Sequence, residues 1–282
     1  MLPATAKLAI EINGVLVPFK SAPDALRRFC VPAFVHSEEG PVDLAVFGSA
    51  FVFRYRGRNF ALCTRHQFGK GSLQRRGEDF TLTFRDVKGQ LHGLNPNRIT
   101  KLSFKAEEHA NFGDLFLAEF EDVRGEFNIR GAALSLDLER TLDTCPPDRL
   151  KLMFTFGYPL DEAAYDIVFD EEHVAVAADV VARWMRVYLQ LDGPALMDTE
   201  NRRPMVPDRR DPAEPDDPNG FSGAPVFFIG LDDGNFAYVG FAGIITDARR
   251  GRYMVYDGKI IKQVLDRYVD TEEPAPPAVA GS

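Results

Sequence analysis

Pro218-Asn219-Gly220-Phe221-Ser222-Gly223-Ala224-Pro225-Val226-Phe227 is the stretch on which the reading of this chain turns. A serine stands between glycines, and a proline and an apolar run follow. Glycine reaches backbone conformations closed to other residues and lets the chain approach a neighbour closely. Such a turn can present a serine Oγ while two backbone N–H groups face one point. A nucleophilic serine and the donors that stabilise its oxyanion need that arrangement. An ordinary Gly-x-Ser-Gly turn carries the same letters, so the stretch needs support from the rest of the chain.

A serine hydroxyl needs a neighbouring base to act as a nucleophile. Of the five histidines (His36, His66, His92, His109, His173), His66 has the telling context. It follows the apolar run Phe60-Ala61-Leu62-Cys63 after Thr64-Arg65, where a strand gives way to a loop and presents a side chain at a cleft. An exposed loop histidine is the competing reading. The base in turn needs a group that fixes its tautomer. Asp114, directly after Gly113, opens the apolar run Leu115-Phe116-Leu117-Ala118. An aspartate there either caps a turn or aims its carboxylate into the site.

The surrounding pattern is that of short strands. Phe51-Val52-Phe53-Arg54-Tyr55 and Phe60-Ala61-Leu62-Cys63 flank an Arg56-Gly57-Arg58-Asn59 turn, and Phe80-Thr81-Leu82-Thr83-Phe84 alternates strictly. A Lys88-Gly89 turn and a run from Gln90 to Leu94 follow. Leu8 to Val17 reads as a strand pair and Pro23 to Phe29 as a short helix. Lys151 to Phe156 is a strand. The run 174–184 fits a helix, whereas Trp184 to Leu191 alternates like a strand. Residues 192–219 hold prolines and charges with little to bury, and read as a long surface loop. Asp232-Asp233-Gly234 joins two strands as a hairpin, and Lys259 to Tyr268 has the apolar spacing of an amphipathic helix. The chain therefore reads as all-β with one C-terminal helix, in two barrels. The division is an N-terminal lead-in over 1–40, a first barrel over 41–145 carrying His66 and Asp114, a second over 146–270 carrying Ser222 and the helix, and a disordered tail over 271–282.

Composition narrows the function. The 282 residues are 45% hydrophobic and 27% charged, ordinary for a globular chain. A formal net charge of −9 argues against nucleic acid or an anionic membrane as partner. No run reaches the length of a membrane span, and the first residues lack the pattern of a signal peptide. Three cysteines, Cys30, Cys63 and Cys145, do not form a disulfide framework, and a cytoplasmic location is expected. Cys63-x-x-His66 has metal-ligand spacing, but no second pair accompanies it, so no metal or cofactor is expected and Cys63 reads as a small buried residue.

Together these segments resemble the trypsin-like (chymotrypsin-fold, PA clan) serine peptidases. Gly48-Ser49-Ala50-Phe51 and Thr64-Arg65-His66 look like that family's opening strands, with one residue fewer between threonine and histidine. Gly113-Asp114-Leu115-Phe116-Leu117, Gly157-Tyr158-Pro159, Gly220-Phe221-Ser222-Gly223-Ala224-Pro225-Val226 and Gly243-Ile244-Ile245-Thr246 match later segments in order. The order histidine, aspartate, serine is that of chymotrypsin. The resemblance implies two antiparallel six-stranded β-barrels and a serine endopeptidase acting through an acyl-enzyme. Ser222 is then the nucleophile, His66 the general base, and Asp114 its orienting carboxylate. The N–H groups of Gly220 and Ser222 form the oxyanion hole, and Thr246 is a hydrogen-bond partner of Asp114. Asp216, six residues before Ser222, falls where trypsin-like pockets carry an aspartate, although a solvated charge is the stronger reading of it. Phe221 departs from the pattern: secreted members carry an aspartate there that pairs with a newly cut N-terminus, which a phenylalanine cannot do. The partner implied is a protein or peptide substrate. The alternatives are a catalytically silent binding module on the same fold and a protease-fold protein held inactive until an activating protein partner orders the 192–219 loop.

Overall fold

The computed structural model describes residues 9–36, 44–68, 80–85, 91–102, 114–124, 127–135, 138–172, 175–193, 197–198, 201–211 and 213–271. The strands run, in chain order, β1 (Ala9–Ile12), β2 (Val15–Pro18), β3 (Cys30–His36), β4 (Leu44–Tyr55), β5 (Arg58–Thr64), β6 (Phe80–Arg85), β7 (Leu91–Leu94), β8 (Arg98–Lys101), β9 (Leu115–Phe120) and β10 (Val123–Arg124). They continue as β11 (Phe127–Asn128), β12 (Leu134–Ser135), β13 (Leu150–Gly157), β14 (Ala164–Phe169), β15 (Ala175–Val181), β16 (Met185–Leu191), β17 (Arg202–Pro207), β18 (Pro225–Leu231), β19 (Ala237–Arg249) and β20 (Arg252–Asp257). A short helix α1 (Ala22–Arg27) precedes β3, and a longer one, α2 (Gly258–Thr271), follows β20.

The first lobe is a sheet in the order β7-β6-β3-β4-β5-β9-β8, with β12 added alongside β4. Among the described residues it is a curled, open sheet rather than the closed six-stranded barrel expected. Its strand β3 lies inside the segment read as lead-in and pairs with both β4 and β6, so the sheet begins earlier than position 41. The second lobe is a closed barrel, β13-β16-β17-β20-β19-β18. One apolar cluster joins the lobes: the Phe51 ring stacks on Phe241 at 5.3 Å and meets Phe227 edge-on at 5.5 Å.

The helix α2 belongs in sequence to the second lobe and docks on the first. Its Asp266 and Asp270 pair with Arg56 at 2.8 and 2.6 Å, and Tyr55 donates to Asp266. Beneath them Arg58 binds Glu119 through two hydrogen bonds, at 2.6 and 2.7 Å, and lies over the Tyr268 ring at 5.0 Å. The buried charge of Glu119 is thus matched by a guanidinium with the geometry to satisfy both its oxygens.

Two segments depart from their sequence reading. Residues 175–181 form strand β15, paired with β14, and not a helix. The stretch 192–219 contains β17, a barrel strand between β16 and β20. Its Arg203 is buried because Asp257 binds its Nε and Asp143 its Nη2, the latter at 2.5 Å. The Lys88-Gly89 turn and residues 272–282 of the tail lie outside the described residues. No described helix is long and apolar enough to cross a membrane.

Candidate active site

The hydrogen-bond ladder between β5 and β9 runs to its end at Thr64 and Leu115. One step beyond, the Arg65 N–H donates to the Asp114 carbonyl. That bond takes up the shortened Thr-to-His step, because His66 emerges directly beside Asp114. The Asp114 carboxylate accepts from the His66 backbone N–H on Oδ1 at 2.9 Å and faces His66 Nδ1 through Oδ2 at 2.7 Å. A carboxylate only accepts, so Nδ1 carries a proton and, in the neutral imidazole, Nε2 presents its lone pair. Nε2 lies 3.1 Å from Ser222 Oγ. A second acceptor for the hydroxyl, the Thr246 carbonyl, is 3.3 Å away.

The His66 pKa is raised above its ordinary 6.5, first by the hydrogen bond to Asp114, then by the charges of Asp114 and Asp247, with partial burial acting the other way. A raised histidine pKa stabilises the folded state fully below pH 6.5 and loses that contribution as pH climbs through the folded value. The imidazole side chain is half exposed while Ser222 is 8% exposed, so the base stands at the mouth and the hydroxyl below it.

Several anchors hold the serine turn. Gly220 has φ +100°, and a Cβ there would run into the Tyr158 carbonyl, so no other residue fits. The Asn219 carbonyl accepts from Leu160 N–H at 2.8 Å and the Phe221 carbonyl from Ala224 N–H at 2.9 Å. In trans peptides the next N–H points the opposite way, which turns the N–H groups of Gly220 and Ser222 away from those partners. Neither donates to a protein acceptor among the described residues. Phe221 is fully buried and meets the Tyr253 ring edge-on at 5.9 Å. Gly157 makes room for it, since a Cβ there would sit 2.5 Å from the Phe221 ring.

Two contributors escaped the sequence reading. Ser49, fully buried, donates from Oγ to the Gly220 carbonyl at 2.7 Å, accepts there from Tyr158 N–H at 3.0 Å, and gives its own N–H to the Ser222 carbonyl at 3.3 Å. Gln67 also donates to the Ser222 carbonyl and lies over Gly48, which has no side chain to obstruct it. The first lobe thus grips the serine turn of the second at two carbonyls. Ser49→Ala leaves buried partners unsatisfied, and we expect a loss of roughly 1–3 kcal/mol, read as a lower urea midpoint at unchanged m-value.

The remaining candidates fall elsewhere. Thr246 Oγ1 donates to the Met254 carbonyl at 3.2 Å rather than to Asp114, and its contribution to the site is its main-chain oxygen. Asp216 is solvent-exposed and pairs with Arg250 at 3.8 Å, so it lines no enclosed pocket. Cys63 is buried in the apolar core of the first lobe, where burial pushes its thiol up, and both ring nitrogens of His66 are engaged elsewhere. His92 stacks on Phe127 at 4.8 Å. His109 and His173 lie outside the described residues, as does the side chain of His36.

No protein-family model matches this chain, and no curated protein sequence matches it. Solved structures match by shape. Human heparin binding protein superposes with a TM-score of 0.50 at 12% identity, covering 89% of this chain and 95% of that one. An atomic-resolution structure of HBP gives a TM-score of 0.49 at 12% identity over the same shares. The likeness to human heparin binding protein is one of fold, the chymotrypsin-like arrangement of a β-barrel, a curled sheet and a C-terminal helix, and it does not speak to activity.

Proposed function

We propose that this chain is a serine endopeptidase, with Ser222 as nucleophile, His66 as general base and then general acid, and Asp114 as the group that holds the imidazole. The observation that carries this reading is the unbroken chain from Asp114 Oδ2 through His66 to Ser222 Oγ, with steps of 2.7 and 3.1 Å. Those are hydrogen-bond distances in the order that proton transfer requires. Ser222 Oγ attacks the scissile carbonyl and its proton passes to Nε2. The oxyanion is received by the N–H groups of Gly220 and Ser222, a pair each of whose members is worth ~3–4 kcal/mol in comparable sites. His66 then protonates the leaving amine, and water repeats the sequence on the acyl-enzyme with Oγ as leaving group.

Phe221 supports a site that stands assembled without cleavage of the chain. In place of a charge awaiting a partner, the turn has a phenyl ring already seated between Gly157 and Tyr253. The stretch 192–219, which the sequence offered as a segment to be ordered by an activating protein, contributes a barrel strand. An activating partner is therefore not part of this reading.

The test is hydrolysis of a proteome-derived peptide library by the full chain. Cleavage that disappears in Ser222→Ala supports the peptidase; equal cleavage by the two proteins, or none, favours the silent binding module. The pH dependence follows from His66. The neutral imidazole is the base, so kcat/KM falls as pH drops through a pKa above 6.5, the direction set by Asp114. Asp114→Asn moves that midpoint down and lowers the plateau by ~10⁴-fold, as expected when the wrong tautomer is favoured.

A further inference from the structure

Immediately beyond the candidate active site lies a cavity of about 320 Å³, lined by Asp198, Arg202, Asp247, Arg249, Arg252 and Met254. Its position is set by the chain. Thr246, whose carbonyl lies 3.3 Å from Ser222 Oγ, is followed directly by Asp247, and the Asp247 carboxylate is close enough to His66 for its charge to act on the imidazole, so the Asp247 end of the cavity adjoins the candidate site. On the β19–β20 hairpin Asp247 faces Met254 and Arg249 faces Arg252, which puts these four side chains on one side of the sheet. Asp198 and Arg202, the latter the first residue of β17, supply the other wall.

The charges of this wall are unequally committed. Asp198 receives the backbone N–H and the Nε of Arg202, both at 2.9 Å. Asp247 pairs with Arg249 at 3.5 Å. Arg252 has no ion-pair or hydrogen-bond partner for its guanidinium among the described residues. Both carboxylates are thus answered from within the cavity, and one planar, permanently charged fork is left over. A guanidinium in that state matches a carboxylate through two parallel hydrogen bonds. The Met254 side chain offers an apolar surface for the methylenes that carry it. The cavity opens to solvent, with Arg249 and Arg252 both exposed, and its volume admits one side chain.

We propose that this cavity is a specificity site for an acidic substrate side chain, glutamate or aspartate, with Arg252 as its charge partner. The proposal rests on the peptidase reading and names the substrate class of that same site. It also makes the local charge run opposite to that of the whole chain, whose formal net charge is −9. An acidic peptide is therefore favoured by short-range pairing and not by long-range attraction, and its preference persists in moderate salt.

The experiment uses the full chain and twin peptides that differ only by Glu against Gln at one position near the bond cleaved in the library. The expected result is enrichment of Glu and Asp at one fixed position among the cleavage sites, with kcat/KM for the Glu peptide at least ~10-fold above that for its Gln twin. Arg252→Glu inverts that ratio, and Arg252→Lys retains part of it. The proposal is overturned if cleavage sites show no acidic position, or if the Glu/Gln ratio is the same in wild type and Arg252→Glu. Phosphonylation of Ser222 separates the two levels. A protein that is labelled and cleaves without acidic preference refutes this inference alone, and one that neither labels nor cleaves refutes the peptidase reading and this inference with it.

Discussion

Replacing His66 by alanine lowers kcat/KM toward a peptide substrate by roughly 10⁴–10⁶-fold and leaves the fold in place. The size of the loss follows from what the imidazole does. Without it Ser222 Oγ keeps its proton, with only the Thr246 carbonyl at 3.3 Å within reach, and a peptide carbonyl oxygen is too weak a base to take that proton. The fold survives because the ring is half exposed and its two partners, Asp114 and Ser222, face solvent or a second acceptor once it is gone. The informative comparison is the double variant. If the three residues act as one unit, His66→Ala and Ser222→Ala together are no worse than either alone, the non-additivity expected of a proton relay. Losses that multiply, or a single loss under 10-fold, contradict the assignment.

Phe221→Asp unfolds the protein or leaves it inactive, and this is the largest stability effect we expect. The phenyl ring is fully buried against Tyr253, in a space that exists because residue 157 has no side chain. Truncating such a ring costs ~3–5 kcal/mol from lost burial and the cavity left behind, and an unpaired carboxylate in its place adds desolvation. A domain with a typical net stability of about 5–15 kcal/mol does not absorb this easily. Residue 221 also carries the carbonyl that sets the direction of the Ser222 N–H, so any protein that remains folded has a disturbed oxyanion site. Urea denaturation and peptide hydrolysis read the two effects separately. An aspartate variant as stable and as active as the wild type contradicts the view that a seated ring organises this turn.

How far the sequence reaches can be seen residue by residue. His66, Asp114 and Ser222 were legible because each stands at the boundary between an apolar run and a turn, and the structure joins them as the end of β5, the approach to β9 and the turn before β18. The grip of Ser49 and Gln67 on the serine turn was not legible: Ser49 belongs to a segment the sequence singled out and Gln67 directly follows one, but contacts between positions 49 and 220 and between 67 and 222 leave no local pattern. Strand β17 was hidden by its composition. Proline and arginine read as exposed loop, whereas Arg203 is buried by two carboxylates that lie far from it in the chain. Residues 175–181 lie in a run whose apolar content fits a helix, and pairing with β14 makes them a strand. Thr246 was expected to bond Asp114, whereas its Oγ1 donates to the Met254 carbonyl and its own carbonyl faces Ser222, because sequence cannot tell which of a residue's polar atoms faces a neighbour.

The most direct test of the central claim is the intact mass of the full chain after exposure to a fluorophosphonate, with peptide mapping of the adduct. An assembled Ser–His–Asp site with two oriented N–H donors predicts one phosphonyl group, carried by Ser222, absent from Ser222→Ala and formed orders of magnitude more slowly in His66→Ala. An unmodified wild type, or an adduct spread over other residues at equal rates in all three proteins, would contradict it.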